Sequence, residues 1–418
     1  MPEWFVSTAP RGGFFMRTAA HFTGSIQKIH AAVTGKKAVA RLRLRFMDTA
    51  LHQTHERVRA ALADQTPLRI RGGGSKDFHA LQLQGEVLDT RSLSGIVSYE
   101  PSELVVTVRA GTLLVELEAA LAAQGQCLAF EPPHFASAEG DVATVGGMVA
   151  AGWSGPARAS VGAVRDFVLG IEMINGKAEL LRFGGTVMKN VAGYDVSRLM
   201  AGSWGTLGLI TEVSLKVLPV APAEATLRFS AVSQDQALQQ LNQWGAQPLP
   251  LNASCWVEDA GAGTLYVRLR GAVAAVEAAC QTMGGERMDS MLAAADWRAC
   301  GEQTLPWFAG RSAEHCLWRL SVPQTTPALT LPAGVQAPLV EWHGGVRWVQ
   351  APRAMEHQLK ALAQQVGGSA VLWRAERADQ ISGAPLFDVQ LPAMLRIQNQ
   401  LKQAFDPAGI WNPGRTTA

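Results

Sequence analysis

The sequence has few cysteines and lacks any spacing of them that would bind a metal or an iron–sulfur cluster. Five cysteines are scattered along 418 residues, and no Cys-x-x-Cys pair occurs. Zinc ribbons and iron–sulfur clusters need closely spaced thiolates. We therefore predict reduced, buried thiols in a cytoplasmic protein. The five are Cys127, Cys255, Cys280, Cys300 and Cys316.

Long hydrophobic runs and a strong net charge are also missing. The most apolar stretch, residues 143–155, is rich in glycine and falls short of the roughly 20 residues of a membrane-spanning helix. The formal net charge is only +2, so the whole-chain balance does not indicate nucleic-acid binding. With 48% hydrophobic and 17% charged residues, the composition is that of a globular protein with a sizeable core.

Positive charge is concentrated at the N-terminus. Residues 1–46 contain eight lysines and arginines but one acidic residue, which gives +7 there and −5 over the rest. This basic extension is a targeting segment, an arm that touches membrane or RNA, or sequence upstream of a native start at Met47. We favour the third interpretation, because an ordered pattern begins directly after Met47.

Several common motifs of nucleotide binding and catalysis are absent as well. The sequence has no G-x-G-x-x-G that follows a strand and opens a helix, and no G-x-x-x-x-G-K-[ST] loop. It also lacks a G-x-S-x-G elbow and an H-E-x-x-H pair. A dinucleotide-binding domain of Rossmann type is therefore not supported.

What the sequence does contain is four separated glycine-rich loops. The first, RGGGSKDF (71–78), directly follows a predicted strand. Three consecutive glycines allow successive main-chain N–H groups to converge on one anion, and Arg71 or Lys76 would add positive charge. Considered alone, the loop is equally compatible with a flexible turn.

The other three loops also consist of residues with small side chains. They are ATVGGMVAAGWSGP (143–156), GSWGTLGLITEVSLKVLP (202–219) and NPGR (412–415). Backbone without bulky side chains admits a flat or elongated ligand at close range. Taken singly, each loop also fits tight helix–sheet packing, a bulge or a turn.

Around these loops the apolar pattern predicts helices and short strands. One helix begins with Asp48 as its N-cap, and another, over residues 112–125, begins with Thr112. Residues 126–160 show little periodicity, and so long a loop usually serves a site. Strands are predicted at 68–71, 86–90, 95–100, 103–111, 166–176 and 209–217.

Beyond a boundary at residues 219–222 the predicted elements follow the order β-α-β-β-α, as in half of a ferredoxin-like fold. A second set with a similar rhythm covers residues 315–374. A last helix near residues 391–404 leads to the tail FDPAGIWNPGR (405–415).

In this order the loops resemble the flavin-binding domain of the vanillyl-alcohol oxidase/para-cresol methylhydroxylase (PCMH) family. The stretches that carry this resemblance include RGGGSKDF, TVGGMVA and DPAGIWNPGR. Within the family, EPPH (131–134), RFGGTVMKNVAGYDVSRLMAGS (182–203) and the shape of the second half are most similar to the FAD-binding subunits of bacterial glycolate oxidases (glycolate dehydrogenases). The resemblance implies an α+β fold, with a PCMH-type two-subdomain FAD-binding domain followed by a ferredoxin-like α+β domain. The implied boundaries are 1–46 for the basic extension, 47–219 and 220–404 for the two domains, and 405–418 for a tail that returns to the flavin domain.

The resemblance also implies how FAD is held. The loops at 71–76 and 143–152 would wrap the pyrophosphate with main-chain amides, and residues 202–211 would lie along the nucleotide. Many relatives carry a histidine that links covalently to the flavin where this chain has Ser75, so we expect non-covalent FAD. Trp204 replaces a glutamate of relatives and is expected to pack or stack. The predicted cofactor-binding residues are Arg71, Gly72, Gly73, Gly74, Ser75, Lys76, Val145, Gly146, Gly147, Ala151, Gly202, Gly205, Gly208, Ile210 and Asn412.

The function that the resemblance implies is oxidation of glycolate to glyoxylate, by hydride transfer to the flavin or by electron relay. The implied partners are a second flavoprotein subunit and an iron–sulfur subunit, without nucleic acid. Any association with the inner face of the cell membrane would run through those partners. The catalytic residues predicted on loops beside the flavin segments are His134, Arg165, Lys189 and Tyr194.

One departure from the family leaves alternatives open. Related catalytic subunits have a histidine-rich metal and substrate site in the second domain. This chain has only His315, His343 and His357 there, without a short pair, so we predict no metal site. The alternatives are a subunit that binds a nucleotide or a partner without turnover, and a stand-alone D-2-hydroxy-acid dehydrogenase.

Overall fold

Two regions, each built around its own antiparallel sheet, make up the protein. We call residues 48–219 with the C-terminal segment 392–415 the glycine-loop half, and residues 223–375 the eight-stranded half. The basic extension, Lys189 and Tyr194 lie outside the described residues. The computed structural model describes residues 48–79, 84–137, 140–186, 195–259, 261–375 and 392–415.

The glycine-loop half contains a small parallel sheet and a five-stranded antiparallel one. Its elements are α1 (Thr49–Ala63), β1 (Leu68–Arg71), β2 (Glu86–Asp89), β3 (Ile96–Glu100), β4 (Val105–Arg109), α2 (Leu114–Ala122), β5 (Gln126–Cys127), α3 (Val145–Ala151), α4 (Arg158–Val161), α5 (Val164–Phe167), β6 (Val168–Ile174), β7 (Leu180–Gly184), α6 (Val196–Met200), β8 (Leu209–Lys216) and β9 (Leu218–Pro219). β1 pairs in parallel with β2, and the larger sheet has the order β3-β4-β8-β6-β7. The predicted strands of this region are therefore confirmed.

Helix starts in this half show where local sequence decides and where it does not. Asp48 caps α1 as predicted, since its side chain accepts the N–H of Leu51 at 2.9 Å. The prediction that Thr112 caps α2 is wrong: α2 begins at Leu114, and the Thr112 hydroxyl accepts the N–H of Gly95 at 2.9 Å. The Thr112 hydroxyl oxygen accepts this tertiary hydrogen bond, so it does not cap α2.

The eight-stranded half is one continuous antiparallel sheet made of two units. Its elements are β10 (Ala223–Phe229), α7 (Gln234–Gly245), β11 (Leu251–Asp259), β12 (Ala262–Gly271), α8 (Val273–Met283), β13 (Glu286–Arg287), α9 (Ser290–Gly301), α10 (Pro306–Ala309), β14 (His315–Ser321), β15 (Leu339–Glu341), β16 (Val346–Pro352), α11 (Glu356–Gln365) and β17 (Ser369–Arg374). The strand order is β13-β10-β12-β11-β15-β16-β14-β17. The first unit comprises β10–β13 and the second comprises β14–β17. In each unit, the strand nearest the β11–β15 junction is the second in sequence, and the third, first and fourth strands follow it outward. This order agrees with the ferredoxin-like rhythm of the sequence.

The two halves are joined by an aromatic core and by ion pairs. Trp153 and Trp204 of the glycine-loop half share one apolar cluster with Trp348 and Trp373 of the other half. Glu131 accepts hydrogen bonds from the guanidinium groups of two arginines on β12. These are Arg268 at 2.7 Å and Arg270 at 2.9 Å.

The C-terminal segment packs against the glycine-loop half. Helix α12 (Pro392–Phe405) buries Phe405 in the main core of that half. The tail then runs beside β1: the N–H of Leu68 donates to Ile410 O at 2.7 Å, and the N–H of Asn412 donates to Leu68 O at 2.9 Å. The end of the chain is thereby brought to the first glycine-rich loop.

Candidate functional site

A cleft lies where the glycine-rich loops of the sequence meet. It encloses about 720 Å³ of empty space, part of it open to solvent. Its walls come from residues 70–77, 142–150, 204–210 and 412–415. The predicted cofactor-binding residues that line it are Arg71, Gly72, Gly73, Gly74, Ser75, Lys76, Gly146, Gly147, Gly205, Gly208, Ile210 and Asn412.

Three other predicted cofactor-binding residues do not line the cleft and lie behind its wall. Val145 is fully buried, and its N–H donates to Thr112 O at 2.9 Å. Ala151 belongs to the aromatic core between the halves. Gly202 has a φ of 85°, and its N–H donates to Val149 O at 3.1 Å. Their contribution is to hold the second and third loops together.

The first loop turns a row of main-chain amides towards the cleft. A Cβ on Gly73 would lie 2.0 Å from Val142 O, and one on Gly72 would lie 2.3 Å from Thr144 Oγ1. Glycine therefore lets this loop stack directly on the segment before α3. Within the described residues, the N–H groups of Gly72, Gly73, Gly74 and Lys76 donate to no acceptor, whereas a parallel bridge between Gly74 and Val142 occupies the N–H of Ser75. Such donors require an acceptor, and successive free amides form an anion-binding concavity.

The second loop contributes a flat wall more than hydrogen-bond donors. The N–H of Gly146 donates to Ala110 O at 2.7 Å, and that of Gly147 to Thr144 Oγ1 at 3.3 Å. Together with Val145, these amides are already occupied inside the protein. These amides are therefore not free to bind a pyrophosphate, contrary to the expectation from the sequence. What faces the cleft is the small-residue surface of Gly146, Gly147 and Ala150.

The third loop has the backbone conformation that glycine allows. Gly205 and Gly208 have φ values of 70° and 149°, which side-chain-bearing residues rarely adopt. A Cβ on Gly208 would also lie 2.5 Å from Met173 Cε. Trp204 closes the loop towards the eight-stranded half, with its ring 5.0 Å from that of Trp153 and stacked on His79 at 5.2 Å. As expected, it is a packing residue.

Of the basic residues in the first loop, Arg71 is fully engaged. Its Nε donates to Asp77 Oδ2 at 2.7 Å, and its Nη2 donates to Asp141 Oδ1 at 3.1 Å. The hydrogen bond to Asp77 raises the pKa of Arg71. Arg71 therefore ties the loop to its surroundings, and its charge is balanced by these two carboxylates.

Lys76 is different, because it carries a buried charge without an ion pair among the described residues. Only 8% of Lys76 is exposed, and its Nζ donates to Ser75 Oγ at 3.2 Å. Burial lowers the pKa of Lys76 to about 8, so the ammonium form still predominates at neutral pH. A cation in this position attracts an anionic ligand.

Arg415 is a second buried cation in the cleft, and sequence reasoning missed it. Its Nε has no partner within the described residues, its Nη2 lies 3.5 Å from Lys76 O, and its guanidinium is 4.6 Å from the centre of the Trp204 ring. Burial lowers the pKa of Arg415 to about 10, which leaves it charged. The signal was present in the sequence, since Arg415 ends the NPGR loop.

Asn412 holds the tail and two loops in register. Its Oδ1 accepts the N–H of Ile70 at 2.7 Å, and its Nδ2 donates to Trp204 O at 2.7 Å. β1, the third loop and the tail are thus fixed by one side chain, which is how Arg415 comes to lie beside Lys76.

The catalytic residues predicted from the sequence do not converge on this cleft. His134 lies at the junction of the halves, with its Nε2 2.9 Å from Glu118 Oε2, a contact that raises the pKa of His134. Arg165 is largely exposed beside Asp166 and borders a separate groove. Lys189 and Tyr194 lie outside the described residues. The catalytic roles of all four stay predictions.

Together these features suit an extended ligand with a diphosphate. Free amides and two unpaired buried cations match the charge of a diphosphate, because charge-assisted hydrogen bonds to such oxygens are the strong ones. The side-chain-poor walls of the second and third loops admit flat rings. The residues of the cleft therefore fit a dinucleotide.

Comparison with known proteins agrees with this geometry. Residues 51–184 match the family model of the FAD binding domain. Over 364 residues the chain is 44% identical to glycolate oxidase subunit GlcE of Escherichia coli (strain K12), which covers 87% of this chain and 96% of that protein. The chain belongs to the GlcE family. Its cofactor is FAD, and the family, the cofactor and the oxidoreductase class predicted from the sequence are confirmed.

Two other proteins share part of the sequence or the fold with this chain. Glycolate oxidase subunit GlcD of Bacillus subtilis (strain 168) is 32% identical over 158 residues, which is 38% of this chain and 33% of that protein. The solved structure of alkyldihydroxyacetonephosphate synthase superposes with a TM-score of 0.61 at 16% identity, over 87% of this chain and 75% of that one. This likeness confirms the predicted PCMH-type fold.

Two further findings concern the described part of the chain alone. None of its helices combines the length and the apolar character that crossing a membrane requires. Nor does it bring three or more histidine, cysteine, aspartate or glutamate side chains together in a group that would hold a metal ion.

Proposed function

We propose that this chain is the FAD-binding subunit of a glycolate oxidase complex and takes part in the oxidation of glycolate, a small 2-hydroxy acid, to glyoxylate. The single observation that carries the proposal is the cleft whose first loop has free amides at residues 72–74 and 76, and whose two buried cations, Lys76 and Arg415, form no ion pair with the described residues. Similarity to GlcE along nearly its whole length supports the choice of complex and of acid.

In this proposal the residues of the chain bind and orient the cofactor and keep water from it. The amides of residues 72–74 and 76 hold the diphosphate, and Lys76 and Arg415 balance its charge. Ser75 offers a hydroxyl where a covalent link would need a histidine, so FAD is bound non-covalently. Trp204 and Trp153 close the cleft towards the eight-stranded half. Bound FAD supplies the capacity to accept a hydride from the carbon that bears the hydroxyl group.

The proposal includes two partners, a second flavoprotein subunit and an iron–sulfur subunit that takes up the electrons. It is supported by the names of two relatives, both of which are subunits of glycolate oxidase. Residues 47–219 form the flavin domain in this scheme, residues 220–404 the second domain, and residues 405–418 the returning tail. Membrane association, where it occurs, runs through the partners.

The test of FAD binding uses the full-length chain. The purified protein should show visible flavin absorption, and acid treatment should release FAD, as expected for a non-covalent cofactor. Arg415→Gln should lower FAD affinity by about 10-fold or more, because it removes charge-assisted hydrogen bonds. Arg198→Gln is the control, since Arg198 pairs with Asp195 at the surface. A colourless protein that takes up no added FAD would rule out the proposal.

Turnover is tested by anaerobic addition of glycolate, first to the lone chain and then to the chain co-purified with its partner subunits. We expect the flavin of this chain to be bleached when the partners are present. Bleaching in the lone chain would favour the stand-alone dehydrogenase. Absence of bleaching in the assembled complex would favour a subunit that binds FAD without turnover.

A further inference from the structure

A second cavity lies between the two halves, behind the aromatic wall of the cleft. It encloses about 540 Å³ of empty space, part of it open to solvent, so it has room for a small organic molecule. Phe135, Trp153 and Arg158 line it from the glycine-loop half, and Arg319 lines it from β14. None of the predicted cofactor-binding or catalytic residues lines this cavity, although residues 152–155 of the second glycine-rich loop do.

The guanidinium of Arg319 is the unexplained group in this cavity. It makes no hydrogen bond or ion pair with the described residues, and its Nε is buried. Its neighbours are three indole rings, whose centres lie 4.6 Å (Trp342), 5.3 Å (Trp373) and 5.9 Å (Trp348) away. Burial lowers the pKa of Arg319 to about 10, so it remains a cation at neutral pH. A buried cation without acceptors is costly unless a ligand supplies them.

The charges around Arg319 leave the cavity positive. Arg158 also faces Trp342, with its guanidinium 4.4 Å from the ring centre. The carboxylate in reach of Arg319 is Glu341, and both of its oxygens are already used, by the Trp348 indole N–H and by the Cys300 thiol at 3.2 Å. Burial raises the pKa of Glu341. Asp166 acts on Arg158, but so does Arg165, so three cations lie near two carboxylates.

We infer that this cavity binds the carboxylate of a small organic acid, with Arg319 as the main donor and Arg158 in support. The planar fork of arginine matches the two oxygens of a carboxylate, and indole walls suit the carbon atoms of the acid. The inference rests on the proposed function in one respect, the choice of a 2-hydroxy acid as the ligand. Neither Arg319 nor Arg158 is among the catalytic residues predicted from the sequence.

The test is equilibrium titration of the full-length, FAD-loaded chain with glycolate, followed by tryptophan fluorescence. Because four indoles line the cavity, wild-type protein should give a saturable change. Arg319→Gln should weaken binding by about 10- to 100-fold, and Arg319→Lys should fall between, because lysine lacks the fork. Arg228→Gln is the matched control, since Arg228 is on the same sheet but pairs with Glu286 at the surface.

Several outcomes would overturn the inference. They are a wild-type protein without a saturable response, an Arg319→Gln protein that binds glycolate as tightly as wild type, and inorganic phosphate that binds as well as glycolate. If Arg319→Gln does not fold, Arg158→Gln must weaken binding instead, because its side chain is on a short helix at the cavity edge. The FAD content of each preparation is measured in parallel. Retained FAD without acid binding contradicts this inference alone, whereas absent FAD contradicts the proposed function.

Discussion

The two halves of the molecule treat buried charge differently. In the glycine-loop half, Lys76 and Arg415 line the cleft without an ion pair among the described residues. In the eight-stranded half, Arg268 donates to Asn252 and to Glu131, and Arg347 donates to two main-chain carbonyls. Arginines with such acceptors build the sheet, whereas Lys76, Arg415 and Arg319 mark places where a ligand belongs. Arg319 has neither kind of acceptor among the described residues, and this is why its cavity stands out.

The largest effect is expected at the joint between the halves. Glu131→Gln removes the carboxylate that Arg268 and Arg270 share and leaves the guanidinium of Arg268, which is only 3% exposed, without its charge partner. Breaking a buried pair in this way costs about 3 kcal/mol of unfolding free energy. Denaturant unfolding of the FAD-free protein measures it.

Glu277→Gln provides the matched comparison. Glu277 pairs with Arg287, and both side chains are about half exposed, so the loss should be much smaller than that of Glu131→Gln. Equal losses for the two substitutions would show that the network at Glu131 does not join the halves as described.

The next effect concerns the backbone contact that opens the cleft. Gly73→Ala would put a Cβ 2.0 Å from Val142 O and displace the first loop from the segment before α3. Overpacking of this kind costs about 1–3 kcal/mol, so FAD affinity should fall by about 10- to 100-fold. Titration with FAD gives the value.

Gly245→Ala is the control for that substitution, since nothing lies within 4 Å of a Cβ built there. It should leave FAD affinity unchanged. Wild-type affinity in Gly73→Ala would mean that the close approach of the two loops has no bearing on the cofactor.

The smallest effect is a pH dependence of the FAD-free protein. The pKa of Lys76 is about 8 in the folded state and about 10.4 in an unfolded chain, so the unfolded state binds more protons between these values. The burial cost of Lys76 is therefore fully present below pH 8, and stability recovers as pH rises towards 10.4. Lys76→Met should be more stable than wild type at pH 7, with the difference shrinking as pH rises.

Thermal unfolding of the FAD-free wild type and Lys76→Met over pH 7 to about 10 measures this difference. Lys76→Met should at the same time bind FAD more weakly. Higher stability with weaker FAD binding would show that the Lys76 charge serves the cofactor and does not stabilise the fold. A difference in stability that does not change with pH would contradict the buried, unpaired state of Lys76.

Local sequence predicted β1–β4, β6 and β8 because each is a short run with apolar residues between turn residues, whereas it did not predict β7. It missed α3, since Gly146, Gly147 and the alanines around them give no apolar period; Thr144 caps this helix with its side chain. The wrong cap at Thr112 and the missed Arg415 have a common reason. Their partners, Gly95 and the third loop, are distant in sequence, and only the folded chain brings them together.

The sequence also located the cofactor loops, but it did not show which loop supplies hydrogen-bond donors and which supplies a flat wall. Four glycine-rich stretches pointed to one cleft, but glycine alone does not tell a free amide from an occupied one. The structure separates the first loop, with its free donors, from the second, whose donors at Gly146 and Gly147 are taken. Arg319 and its cavity depend on packing between the halves, which no local pattern contains.

Hydrogen exchange of main-chain amides, with and without FAD, tests the central claim most directly. The amides of residues 72–74 and 76 have no acceptor in the described structure, so they should exchange rapidly without FAD and become strongly protected when it binds. Gly146 and Gly147, already bonded, should change much less. Protection by FAD elsewhere in the chain, with residues 72–74 and 76 exchanging at an unchanged rate, would contradict this account of the cleft.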